Sequence, residues 1–332
     1  MSSKREVWVD YVKVFACVLV VLGHFFQSMV KANILPGNDL YDWFNTTIYY
    51  FHVPLFFICS GYLYQKYSVA DSWPSRKQNI IKKAFVLGIP YFVFSFATWL
   101  LKTVFAGAVN TEIGGLGYTL FIHPTAPYWY LYILFLIFCV TPTVNSTRGA
   151  VVMAVLALLA KVAKIIGGDS VLQIYAVSNF TASWIWFVLG MMIAVVGTER
   201  LRQRGPGFLF AIAFFGLSIL LYKNENGWIA FDLGLFACTA VLMIAVGMRE
   251  NQVLNIAATY TMPIFLMHTL FAAPVRTVLM KVGMSNAAVH VVAGIVISFL
   301  GPVVAMKILQ VIKLDWLAYP GGLLKNKLRK QA

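Results

Sequence analysis

Long apolar runs broken by short polar segments dominate the chain, and ten can be marked: 8–30, 43–65, 80–101, 128–143, 150–166, 181–197, 207–222, 229–248, 254–275 and 287–312. Most approach the ~20 residues a helix needs to cross a hydrocarbon core. A backbone immersed in lipid must satisfy its own hydrogen bonds, which a helix does within each segment. The pattern therefore predicts an all-α fold, a polytopic bundle of about ten transmembrane helices. Residues 1–312 form one membrane domain, and 313–332 form a short basic tail. The opening Met1 to Asp10 leads into the first run with no small-residue cleavage site after it, which predicts a retained helix.

Composition agrees. Of 332 residues, 60% are hydrophobic and only 11% charged, where a soluble domain carries about 25% charged. Cys17, Cys59, Cys139 and Cys238 all lie in apolar runs without metal or disulfide spacing. The formal charge of +14 needs no nucleic-acid partner. With the N-terminus in the cytoplasm, most basic residues, from Arg5, Lys66 and Lys77 to the tail, fall on the cytoplasmic side. An even number of spans then leaves both termini cytoplasmic.

Candidate chemistry lies where polar side chains interrupt apolar runs. His24, His52 and His268 come from three separate runs, and helical rise places each roughly 9–13 Å below the outer surface. Ionisable groups inside a membrane mark functional sites by default. The plainer account is three separately packed, hydrogen-bonded imidazoles. Lys13 and His24 share one face of the first helix, about 16 Å apart along its axis, with Asp10 near the same line. Asp10 as a counter-ion for a snorkelling Lys13 would explain the acid–base pair alone. In the second run, Pro54 removes a helical bond and Ser60-Gly61 permits close approach by a backbone or ligand. Helix packing explains that pair equally well.

Arg76, Lys77, Lys82 and Lys83 follow the second run on the cytoplasmic side, suited to the phosphates of a nucleotide-like molecule or to anionic lipid. Tyr128-Trp129-Tyr130 opens the fourth run at the outer face, as an interfacial belt or as a sugar-stacking platform. The long outer connection Gly107–Pro127 lies over an external opening or serves as linker. Asp232 is placed to orient a histidine or to sit half-exposed. His123 and His290 sit at outer edges and receive no role.

These residues resemble the acyltransferase-3 family, integral membrane O-acyltransferases of bacterial surface glycans. The resemblance rests first on Asp10-Tyr-Val-Lys13 with Val21-Leu-Gly23-His24, a basic residue followed after ten positions by histidine. It rests next on the block from His52 through Pro54 to Ser60-Gly61-Tyr62. Trp129-Tyr130-Leu131, Phe187-Val-Leu-Gly190-Met191 and Ile264-Phe-Leu-Met-His268 support it. Lys13 stands where many members have arginine, and no soluble esterase-like domain follows. The flavour is closest to the fucose 4-O-acetylase-like branch.

The resemblance implies a multi-pass enzyme of the bacterial cytoplasmic (inner) membrane. It would move an acyl group, acetyl on family grounds, from cytoplasmic acyl-CoA (acetyl-CoA) to a hydroxyl of an extracytoplasmic glycan, with no metal. His24 would act as general base and His52 would support it. Asp10, Lys13, Ser60, Tyr62, Arg76, Lys77, Lys82 and Lys83 would hold the donor. Trp129, Tyr130 and His268 would meet the cell-surface or lipid-linked acceptor. The alternatives are a transporter or flippase with a histidine proton relay and a membrane metal site built from the three imidazoles.

Overall fold

The computed structural model describes residues 5–105, 114–171 and 173–323. The first third of the Gly107–Pro127 connection and the distal part of the basic tail lie outside the described residues. Eleven α-helices are present among the described residues: α1 (Val7–Lys31), α2 (Asp39–Tyr49), α3 (His52–Tyr67), α4 (Trp73–Val104), α5 (Trp129–Val140), α6 (Thr147–Val171), α7 (Tyr175–Val196), α8 (Arg204–Leu221), α9 (Gly227–Val246), α10 (Gln252–Lys281) and α11 (Ala287–Val311). Eight are long and apolar enough to span a membrane; α3 and the 12-residue α5 are shorter. No strand is found among the described residues.

Helix starts follow ordinary capping chemistry. Asn38, Ser72, Asn226, Asn251 and Asn286 each accept a bond from an amide in the first turn of α2, α4, α9, α10 and α11. Where the pattern predicts one helix over 43–65, the chain breaks at Tyr50–Phe51 and forms α2 and α3. The physical reason is Pro54. In the first turn of α3 its missing N–H costs nothing, because first-turn amides have no helical partner. Pro54 therefore marks a helix start, not an interrupted interior.

α1 lies at the centre, against α2, α3, α9, α10 and α11. It runs parallel to α10 in a fixed register. The Tyr11 hydroxyl meets Asn255 Oδ1 at 3.4 Å, the Cys17 thiol points to the Thr261 carbonyl at 3.5 Å, and His24 faces His268. All three pairs share one sequence offset, which parallel helices with equal rise require. α3 and α7 cross at two glycines. A Cβ on Gly61 would run into the Phe187 carbonyl, and one on Gly190 would run into the Ile58 carbonyl. The Ser60-Gly61 pair thus does serve helix packing, through its glycine. α4, α6, α8 and α11 turn large apolar side chains outward, as lipid-facing helices do.

Candidate active site

Three helices deliver the histidines to one region. His24 on α1 stacks on His268 of α10, with ring centroids 5.5 Å apart and planes 27° apart. His52, the first residue of α3, lies within electrostatic reach of His24. His52 Nδ1 is 2.5 Å from the Ile48 carbonyl, and His268 Nδ1 is 3.0 Å from the carbonyls of Ile264 and Phe265. A carbonyl only accepts, so in both neutral rings Nδ1 carries the hydrogen and Nε2 the lone pair. His268 Nε2 is buried with no protein partner.

The His24 imidazole makes no hydrogen bond to another described residue. It lines a cavity of about 40 Å³ with Ser28, His268, Thr269 and Ser298 among its walls, room for roughly two or three waters. The site thus pairs one imidazole free of hydrogen bonds with two of fixed tautomer, beside a small cavity lined by His24 and His268.

Along the α1 face towards its N-terminal end, a second group collects. Lys13 is half-buried and within electrostatic reach of Cys59 and of Lys83. Lys83 lies 4.4 Å from the centre of the Phe138 ring, and Lys82 repels it. Lys77 and Lys82 are exposed. No carboxylate lies within ion-pair distance of Lys13, Lys77, Lys82 or Lys83 among the described residues. Neighbouring cations without a carboxylate partner, Lys13, Lys82 and Lys83, suit a polyanion such as the phosphates of a nucleotide. Ser60 Oγ is 3.0 Å from the Tyr130 hydroxyl, which donates to the Phe56 carbonyl at 3.2 Å.

Other residues sit differently from expectation. Asp10 pairs with Arg5 at 2.5 Å and not with Lys13. Arg76 donates to the carbonyls of Cys139 and Val140, so it closes the C-terminal end of α5. Tyr62 donates to Glu6 at 3.1 Å within a knot that includes Lys66 and Tyr67. Lys66 and the two hydroxyls hold the Glu6 carboxyl below its ordinary pKa, against the opposing pull of burial. Tyr128 and Tyr130 are core residues, not an interfacial belt, because the short α5 begins inside the bundle; Trp129 is half-buried. Asp232 is exposed and bonds no histidine. His290 is buried and bonds the Met284 carbonyl, away from the cavity lining.

Three site neighbours escaped the sequence analysis. Glu6 is one residue outside the apolar run. Tyr128, whose hydroxyl joins Thr98 and the Leu266 carbonyl, read as an interfacial aromatic. Arg276, which donates to the Ser28 carbonyl and hydroxyl, lies just past the apolar run that ends at residue 275.

Among the described residues no group of three or more His, Cys, Asp or Glu is arranged to hold a metal ion. The family model described as an acyltransferase domain matches residues 6–307. Two curated relatives are nodulation proteins NolL. The chain is 30% identical to that of Mesorhizobium japonicum over 143 residues, 41% of this chain and 35% of the relative. It is 39% identical to that of Sinorhizobium fredii over 62 residues, 19% of this chain and 16% of the relative. The matched segments thus span about a third or less of those relatives. No solved structure matches significantly.

Proposed function

We propose, for a chain that belongs to the acyltransferase-3 family, that it carries an acyl group from cytoplasmic acyl-CoA to a hydroxyl of an extracytoplasmic glycan. The observation that carries this reading is the unconstrained His24 imidazole, stacked on His268 at the cavity wall. Both termini face the cytoplasm of the inner membrane in this reading. The donor phosphates meet Lys13, Lys77, Lys82 and Lys83, and the pantetheine arm follows the α1 face past Ser60 towards His24. That face is about 16 Å long between Lys13 and His24, a length an extended thioester arm covers.

In the reaction, neutral His24 takes the proton of the acceptor hydroxyl as its oxygen attacks the thioester carbonyl carbon. The C–S bond breaks, the ester C–O bond remains, and the imidazolium returns the proton to the departing CoA thiolate. Imidazole suits both halves because its unperturbed pKa lies near neutrality. His52 and His268, held as Nδ1–H tautomers, offer Nε2 as acceptors and orient the base and acceptor. Acetyl is the acyl group proposed.

The test is transfer of radiolabel from acetyl-CoA to glycan in inside-out vesicles containing wild type or His24→Ala at matched membrane level. Labelling by wild type and none by the variant is the expected result. Equal labelling would remove His24 from catalysis. Labelling by neither would count against acetyl-CoA as donor.

A further inference from the structure

Arg276 is 8% exposed on α10, inside a spanning helix, and no carboxylate lies within ion-pair distance of it among the described residues. A guanidinium stays charged, and a buried charge without a counter-charge is costly. Its recorded bonds leave from one nitrogen, Nη1, to the carbonyl and hydroxyl of Ser28. Those two bonds use a minority of its five donors. Ser28 also lines the His24 cavity, one turn or about 6 Å along α1 from His24.

Two more cations stand at this end of α1. Lys31 lies one turn past Ser28 and within electrostatic reach of His24, and Lys102 of α4 is close enough to Lys31 to repel it. Neither pairs with a carboxylate among the described residues. Capping the last carbonyls of α1 explains one of Arg276's bonds. It leaves most of the guanidinium donors unused, at the opposite end of α1 from the lysines proposed to hold the donor.

We infer that Arg276, held by Ser28 at the end of α1 where Lys31 also stands, binds an anionic group of the acceptor, so that the acceptor is an acidic glycan or a phosphate-linked one and not a neutral sugar. The inference rests on the acyl-transfer reading for the word acceptor, but the anion site itself does not. The planar fork of arginine fits a carboxylate or phosphate by two parallel bonds. Anchored by Ser28, it would hold the anion about one helical turn from His24, and so present a neighbouring hydroxyl to the base.

The experiment is unfolding of the detergent-solubilised full chain, followed by tryptophan fluorescence, against rising concentrations of three probes. These are methyl glucuronide, glucose 1-phosphate and the neutral methyl glucoside. One or both anions should raise the unfolding temperature of wild type while the neutral sugar does not. A carboxylate-selective response points to an acidic sugar, a phosphate-selective one to a phosphate-linked acceptor. Arg276→Gln should weaken the response roughly tenfold or more, as expected for charge-assisted bonds, and Arg276→Lys should weaken it less. Should Arg276→Gln fail to fold, Lys31→Gln serves as the second variant, with a several-fold weakening expected. The inference is overturned if neither anion stabilises wild type, if the neutral sugar does so equally, or if the variants respond as wild type does. Because no acyl transfer is measured, these outcomes are separate from those of the vesicle assay.

Discussion

The imidazole of His268 faces that of His24 with its Nδ1–H already committed to the carbonyls of Ile264 and Phe265, and its Nε2 buried without a protein donor. An unmatched buried acceptor is costly unless water or substrate supplies the missing donor. In the proposed reading a hydroxyl of the acceptor supplies that donor. His268→Leu should lower kcat by ~10²-fold, within the range for lost proton-transfer assistance, with KM for acyl-CoA unchanged. His268→Gln, which restores an acceptor, should recover part of the rate. Radiolabel transfer at matched membrane level checks both; an unchanged kcat in His268→Leu would assign the ring to packing.

The lysines should separate from the histidines kinetically. Lys83→Gln is expected to raise KM for acyl-CoA by roughly tenfold, the scale of one half-buried charge-assisted bond. Exposed Lys82→Gln should raise it only about 2–5-fold. Neither should change kcat, and both effects should shrink as salt rises. A fall in kcat with constant KM would move these residues out of donor binding.

Glycine substitutions test the α3–α7 crossing. Gly61→Ala and Gly190→Ala each drive a methyl into a facing backbone carbonyl, where neither partner is a flexible side chain. Destabilisation at or above the ~1–3 kcal/mol usual for overpacking is expected, read as lost monodisperse protein on size exclusion. Gly88→Ala is the control, since its Cβ meets nothing within 4 Å. In a helix interior that change should be neutral or stabilising by up to ~1 kcal/mol.

The Glu6 knot should give the fold a dependence on acid. Its carboxyl pKa is lower in the folded chain than the ordinary 4.5. Stabilisation is therefore complete above the unfolded value and is lost as pH falls through the folded one. The unfolding temperature of solubilised wild type should drop below pH ~4.5 more steeply than that of Glu6→Gln. Parallel curves for the two proteins would dissociate Glu6 from acid stability.

Hydropathy marked the eight long helices because lipid demands apolarity over a fixed length, and it overcounted at α3 and α5, which fall short of that length. It was blind to the break at Tyr50–Phe51, where the sequence stays apolar and only Pro54 gives a signal. Depth arithmetic brought His24 and His268 together because α1 and α10 share direction and rise. Partner choice was less legible. Asp10 had Arg5 and Lys13 within one or two turns, and only side-chain placement decides between them. Tyr128 and Tyr130 misled as surface aromatics since nothing in their spelling says that α5 starts deep. Arg276 stayed hidden because a charge near a helix end usually faces water.

Pro263 and Pro274 flank His268 on α10, and each deletes one rung from the helical ladder. The carbonyl freed by Pro263 belongs to Thr259 and is taken by the Tyr319 hydroxyl at 2.6 Å, a stitch from the C-terminal segment. The turn bearing His268 is thus a short rod coupled to its flanks by weakened joints, one of them reinforced from outside. A tyrosine beyond α11 is thus fastened to the helix that carries His268.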